Sequence, residues 1–303
     1  MKLSFGSACM FFVLFVMLLT AEVTGEAEII FPEVAALSCG CFLTPRLVWR
    51  TSSFRMIFCI AFCAVSGVAI VRFLPLPLWA QFSLAFLTGQ LVLLVSGTTF
   101  APLISAIALP VLIQTRSPVY ILAAVLLTAL VCLLRAFLVR AGKSEQADFS
   151  PVAFSERPFP AFLAALLFRT AFLALLAFFC IRAGLRFCVA PPLLVAFTEL
   201  TGKECRAAKR FWAVILLVSL CALFGAASRL LISVTLGLPL TLSGLVAGAG
   251  VILLVKIFAF PFPPAAAMAV LAMLIPKDAL FLYPLEVAAG IFLLSLAARF
   301  WRH

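Results

Sequence analysis

Apolar residues run along this chain in long blocks, each cut off by a charge, a proline or a glycine. Blocks near 5–21, 54–74, 77–96 and 118–139, and again near 160–181, 211–234, 238–258 and 280–300, approach or exceed the roughly 20 residues an α-helix needs to cross a bilayer. Four others, near 29–44, 99–114, 189–201 and 262–276, are marginal for a crossing and predict short tilted helices or half-helices buried within a bundle. The pattern predicts an all-α, polytopic transmembrane bundle of about 12 segments.

A polar stretch, Arg140-Ala-Gly-Lys-Ser-Glu-Gln-Ala-Asp148 through Ser155-Glu-Arg157, divides the segments into two sets. Slid over itself by about 160 residues, the chain sets Pro32 on Pro192, Arg46 on Arg206 and Arg50 on Arg210, and Cys63-Ala-Val-Ser-Gly67 on Cys221-Ala-Leu-Phe-Gly225. After a four-residue insertion, Leu76-Pro77-Leu78 falls on Leu238-Pro239-Leu240, and Pro102 on Pro264. The expectation is a tandem duplication: a membrane repeat over 1–140, a cytoplasmic linker over 141–159 and a second repeat over 160–303. An even number of crossings in each would make the repeats parallel, as in the two halves of major-facilitator proteins.

Composition agrees with the pattern. The chain is 66% hydrophobic and 11% charged, against about 45–50% and about 25% in soluble domains. Its net charge of +11 is dealt out between apolar runs and forms no basic, aromatic-interleaved surface, which argues against a nucleic-acid partner and leaves the lipid bilayer as the expected one. The ten cysteines mostly lie inside apolar blocks, where a thiol is a small hydrophobe, and Cys39-Gly-Cys41 lacks the neighbours a metal site needs. Met1-Lys2 followed by Phe11–Leu19 resembles a secretory leader. Its counterpart in mid-chain, near 161–182, favours a retained first membrane helix.

Charge also predicts orientation. With the N-terminus in the cytoplasm, Lys2, Arg46, Arg50, Arg55, Arg135, Arg140, Lys143, Arg157, Lys203, Arg206, Lys209, Arg210, Arg299 and Arg302 fall inside. Arg72, Arg116, Arg182, Arg186 and Lys277 fall outside, with Glu22, Glu26 and Glu28. A multi-pass protein of the plasma membrane with both termini cytoplasmic is expected.

Catalysis is not expected: the one histidine is His303, and no carboxylates paired at i, i+3 or i+4 inside an apolar segment, metal-binding spacing or phosphate loop occur. No cofactor or metal is expected. What remains is charge at membrane depth. Lys256, in Val251-Ile-Leu-Leu-Val-Lys256, marks either a solute pathway or a helix end from which it snorkels to the interface. Glu33 and Glu199 stand in marginal segments, where a carboxylate could titrate with a transported proton, cap a helix or face interfacial water. Arg169 and Glu286 interrupt other apolar runs and read as structural, with an ion pair between segments left open.

The proline-bearing starts Ser96-Gly-Thr-Thr-Phe-Ala101-Pro102 and Phe260-Pro-Phe-Pro263-Pro264-Ala265 occupy the same place in the two sets. Each opens a short helix whose free N–H groups could bind an anion near a pseudo-twofold axis, or is an ordinary loop-to-helix transition. Substrate-binding candidates are accordingly Lys256, Pro263, Pro264, Ala265, Ala101, Pro102, Glu33 and Glu199.

The segment Phe262-Pro263-Pro264-Ala265, with Tyr283-Pro284-Leu285-Glu286 after it and Pro191-Pro192, Arg206 and Gly225 before it, resembles the HPP family of integral membrane proteins, named for a His-Pro-Pro signature. Ala101-Pro102 repeats it faintly in the first set, and Phe262 stands in place of the signature histidine. The resemblance implies a membrane protein, with nitrite transport proposed for some members. The expected function is a transporter or channel for a small solute, an anion in one version. The alternatives are a non-transporting scaffold or accessory subunit, and a permease similar to the duplicated aromatic-acid exporters. A homo-oligomer is left open.

Overall fold

Helix boundaries fall where backbone chemistry calls for them. The Ser4 hydroxyl accepts from Ser7 N–H at 3.2 Å and opens α1 (Phe5–Thr24), which Gly25 closes at φ 75°. Ser52 opens α3 (Ser53–Phe73), and Ser117 with Pro118 opens α6 (Pro118–Arg140). Proline also occupies the first turn of α5 (Pro102–Ile113), α8 (Pro191–Leu200) and α11 (Pro263–Leu271), where its missing N–H costs nothing. The remaining helices are α2 (Glu33–Phe42), α4 (Leu78–Ser96), α7 (Phe159–Arg182), α9 (Phe211–Ser228), α10 (Leu240–Phe258) and α12 (Tyr283–Arg302). The structure, a computed structural model, describes residues 4–44, 46–146, 149, 159–202 and 205–302, and no strand occurs among them. Lys2, Lys203, His303 and most of the expected linker, including Ser155-Glu-Arg157, lie outside the described residues.

Among the described residues, eight helices are long and apolar enough to cross a membrane: α1, α3, α4, α6, α7, α9, α10 and α12. The ninth runs on through a π-helical turn, Arg229–Thr235, which extends the apolar stretch to 25 residues. Their outward faces carry Phe54, Leu126, Leu167 and Phe300, each at least 60% exposed, an apolar surface suited to lipid. The chain is thus a multi-pass membrane protein by its helices.

The four short helices, α2, α5, α8 and α11, have 9–12 residues, about half the length of a crossing, and form the centre of the bundle. Every residue of α2 and α11 is buried, as is every residue of α5 up to Leu112 and all of α8 but Glu199. A helix apolar on every side has to be covered on every side. Cover comes crosswise, because α2 packs on α11 and α5 on α8. Around them α3 packs on α5 and α6, α9 on α11 and α12, α1 on α10, and α7 on α4.

Close contact depends on small residues. A Cβ added at Gly67 of α3 would stand 2.4 Å from the Ile107 carbonyl oxygen of α5, and one at Gly225 of α9 would stand 2.2 Å from that of Ala269 of α11. The helices meet backbone to backbone there. The ten cysteines are unbridged, and eight are buried.

Arginines close one end of the bundle. Arg55 donates to the Ser96 carbonyl at the end of α4, and Arg210 to Phe258 at the end of α10 at 3.4 Å. Arg135 donates to Cys41 at the end of α2 at 2.7 Å, and Arg302 to Leu200 at the end of α8 at 3.5 Å. Terminal carbonyls lack intrahelical partners and carry the negative end of the helix dipole, so a guanidinium satisfies both needs. At this end the exposed Arg46 pairs with Glu145, whose hydrogen bond and charge hold the guanidinium above its ordinary value. At the other end Glu22 accepts from Leu240 N–H at 2.9 Å and Thr241 N–H at 3.1 Å, at the start of α10.

Candidate functional site

Between α4, α7 and α8 lies a cavity of about 820 Å³, bordered by the loops that lead into α3, α5 and α11. Its polar lining begins with Arg169, the eleventh of 24 residues in α7, which stands ~15 Å along the helix axis from Phe159 and hence well inside the apolar helix. A cation in the middle of a membrane helix costs about 2.5–3.5 kcal/mol on insertion scales, so it is retained only where something answers it. Here Arg169 Nη1 donates to Gln90 Oε1 of α4 at 2.9 Å, while its Nε is buried without a partner among the described residues. Gln90 Nε2 donates to Thr198 Oγ1 of α8 at 2.6 Å, and Thr198 donates to the Leu194 carbonyl at 3.0 Å. One polar chain therefore joins three helices across an otherwise apolar contact.

Aromatic rings pack beside this chain. Phe168 stacks on Trp301 at 4.7 Å between centroids, and Phe172 lies 5.7 Å from Phe197, which stacks on Phe86 of α4. They seat α7 and leave Arg169 facing the cavity.

Glu199, one residue beyond Thr198, is the carboxyl of the lining. Trp49 Nε1 donates to its Oε1 at 2.9 Å. The indole is buried, edge-on to Phe100 at 5.4 Å, and lies against α2, where a Cβ at Gly40 would come within 2.5 Å of the ring. The loops are tied together as well, Thr99 N–H to the Arg50 carbonyl at 3.2 Å and Arg50 N–H to Thr99 Oγ1 at 2.9 Å. Arg50, exposed, lines the mouth.

Of the residues singled out in the sequence, Ala101, Pro263 and Glu199 line this cavity together. Pro102, Pro264 and Ala265 are buried in the first turns of α5 and α11 immediately behind it. Glu33 lies elsewhere: it opens α2, fully buried, with Oε1 accepting from the Ser105 hydroxyl of α5 and Oε2 without a partner among the described residues. Lys256 is exposed in the last turn of α10 and does not line the cavity. Glu286 accepts from Phe187 N–H at 2.8 Å and Arg169 binds Gln90, so the two are not an ion pair.

Arg169, Gln90, Thr198 and Trp49 were not among the sequence candidates. For Arg169 the signal was present, a lone cation in a long apolar block. For Gln90 and Thr198 it was slight, an amide and a hydroxyl that acquire meaning only when three helices meet. Searches of protein-family models, curated proteins and solved structures give no match to this chain.

Proposed function

We propose that the protein is a membrane transporter or channel for a small anionic solute, and that its site is the cavity around Arg169. The observation that carries this reading is a guanidinium inside a membrane-length helix, lining a cavity of about 820 Å³ and bonded to a neutral amide. The lining of described residues holds two arginines, Arg50 and Arg169, against one carboxyl, Glu199, a balance that favours negative charge. Ala101 and Pro263 bring the N-terminal ends of α5 and α11 to the same space, adding the positive ends of two helix dipoles.

The reading includes two tandem parallel repeats, 1–140 and 160–303, joined by a cytoplasmic linker. Packing supports it: α3 on α5 answers α9 on α11, α4 on α7 answers α10 on α1, and α2 on α11 answers α8 on α5. Side chains answer in the same way. Tyr120 OH donates to the Ala106 carbonyl at 2.8 Å and Tyr283 OH to that of Met268 at 2.6 Å, and each ring is edge-on to a phenylalanine, Phe31 or Phe187, just before a short helix. Kinship with the HPP family belongs to the same proposal and rests on Phe262–Ala265 at the start of α11. So does a plasma-membrane orientation with both termini inside, supported by the arginine-rich end.

Uptake of small anions into proteoliposomes tests the reading. Arg169→Gln is expected to lower uptake about 10- to 100-fold, the range of a lost hydrogen bond to a charged group. Lys256→Ala, made alongside, decides whether the lysine contributes: unchanged uptake removes it from the pathway. If no solute that bears an anionic group is carried or stabilises the wild-type protein, the scaffold alternative takes its place.

A further inference from the structure

Arg169 and Glu199 line one cavity, yet they do not pair. The ion pair found among the described residues is Arg46 with Glu145, at the surface. Each of these half-buried side chains is held by a neutral group instead, Arg169 by Gln90 Oε1 and Glu199 by the Trp49 indole N–H, both at 2.9 Å. Gln90 also bonds Thr198, the neighbour of Glu199 on α8, so the same side chain that orients the cation is tied to the helix that carries the carboxyl. These bonds leave each group without an ion-pair partner among the described residues.

Opposite charges left unpaired in a low-dielectric space are costly, and a ligand repays that cost to the extent that it answers both. A simple anion satisfies Arg169 but brings a second negative charge into the space shared with Glu199. A ligand with a carboxylate and an ammonium satisfies both at once. The cavity is also much larger than an inorganic anion requires, and part of its wall is apolar, with Trp49, Phe162, Leu93 and Phe262.

We infer that the site takes a zwitterion of the α-amino-acid type with an apolar side chain, its carboxylate on Arg169, its ammonium on Glu199 and its side chain against the aromatic wall. The inference rests on the transporter reading of this cavity and revises its solute from a simple anion to one whose carboxylate is accompanied by an ammonium.

Binding to the purified full-length protein in nanodiscs tests it, with three probes of one shape: phenylalanine, 3-phenylpropanoate, which lacks the amine, and phenethylamine, which lacks the carboxylate. Phenylalanine is expected to bind at least tenfold more tightly than either analogue, because a site built to bond a group rejects a ligand that lacks it. Glu199→Gln should bring phenylalanine down to the level of 3-phenylpropanoate, and Arg169→Gln should abolish the preference for either carboxylate over the amine. The wild-type comparison needs no variant to fold. If 3-phenylpropanoate binds as well as phenylalanine, the zwitterion is wrong and the anion reading stands. If Glu199→Gln stops uptake but leaves discrimination among the probes intact, Glu199 carries a proton and the assignment is overturned. If neither these probes nor inorganic anions bind, both readings fail.

Discussion

Pro110 stands inside α5 without an amide hydrogen to give, which leaves the carbonyl of Ala106, four residues back, without its helical partner. Tyr120 OH fills the gap, and Tyr283 OH does the same for Met268, whose carbonyl lies within the last turn of α11. Both tyrosines are fully buried, and they are the only two beside 32 phenylalanines. Tyr120→Phe keeps the ring and strands a carbonyl, so it should destabilise by about 1–3 kcal/mol in a thermal melt in detergent, with Tyr283→Phe close behind. The rarity of tyrosine was visible in composition, but the acceptor each one serves was not. The same holds for the charges inside apolar blocks. Arg169 and Lys256 are both lone cations in apolar blocks, yet one lines the cavity and the other faces outward. Where a helix is apolar on all sides, the sequence carries no stripe from which to read a side chain's direction.

Among elements, the short helices were the most legible. Prolines, charges and glycines bounded the segments near 29–44, 99–114, 189–201 and 262–276, and α2, α5, α8 and α11 lie within those bounds. Their burial at the centre follows from length, since 9–12 residues cannot cross and an apolar half-helix has to be enclosed. Which helices enclose them was not legible, because those contacts join residues far apart in the chain. Gly225 shows what the contacts demand. Its neighbour on α11 is the Ala269 backbone, which cannot rotate away, so Gly225→Ala should force α9 from α11 and cost about 1–3 kcal/mol or more. A melt of this variant beside Gly67→Ala, whose neighbour is likewise a carbonyl oxygen, would measure both contacts.

For the whole molecule, the charge pattern makes a claim about sides of the membrane. Lys143, beyond α6, and Glu26, beyond α1, are both exposed. With cysteines introduced one at a time and a membrane-impermeant maleimide applied to intact cells, Glu26→Cys should label and Lys143→Cys should label only after lysis. The reverse result would invert the orientation. The crosswise packing of the centre carries a consequence for assembly. Because α2 packs on α11 and α5 on α8, the segment before the linker and the segment after it each cover part of the other's interior. Neither can complete its core during synthesis until the second has emerged. The first six helices must therefore wait in the membrane with two apolar half-helices incompletely enclosed, and cutting the linker should yield two fragments that are stable only in each other's company.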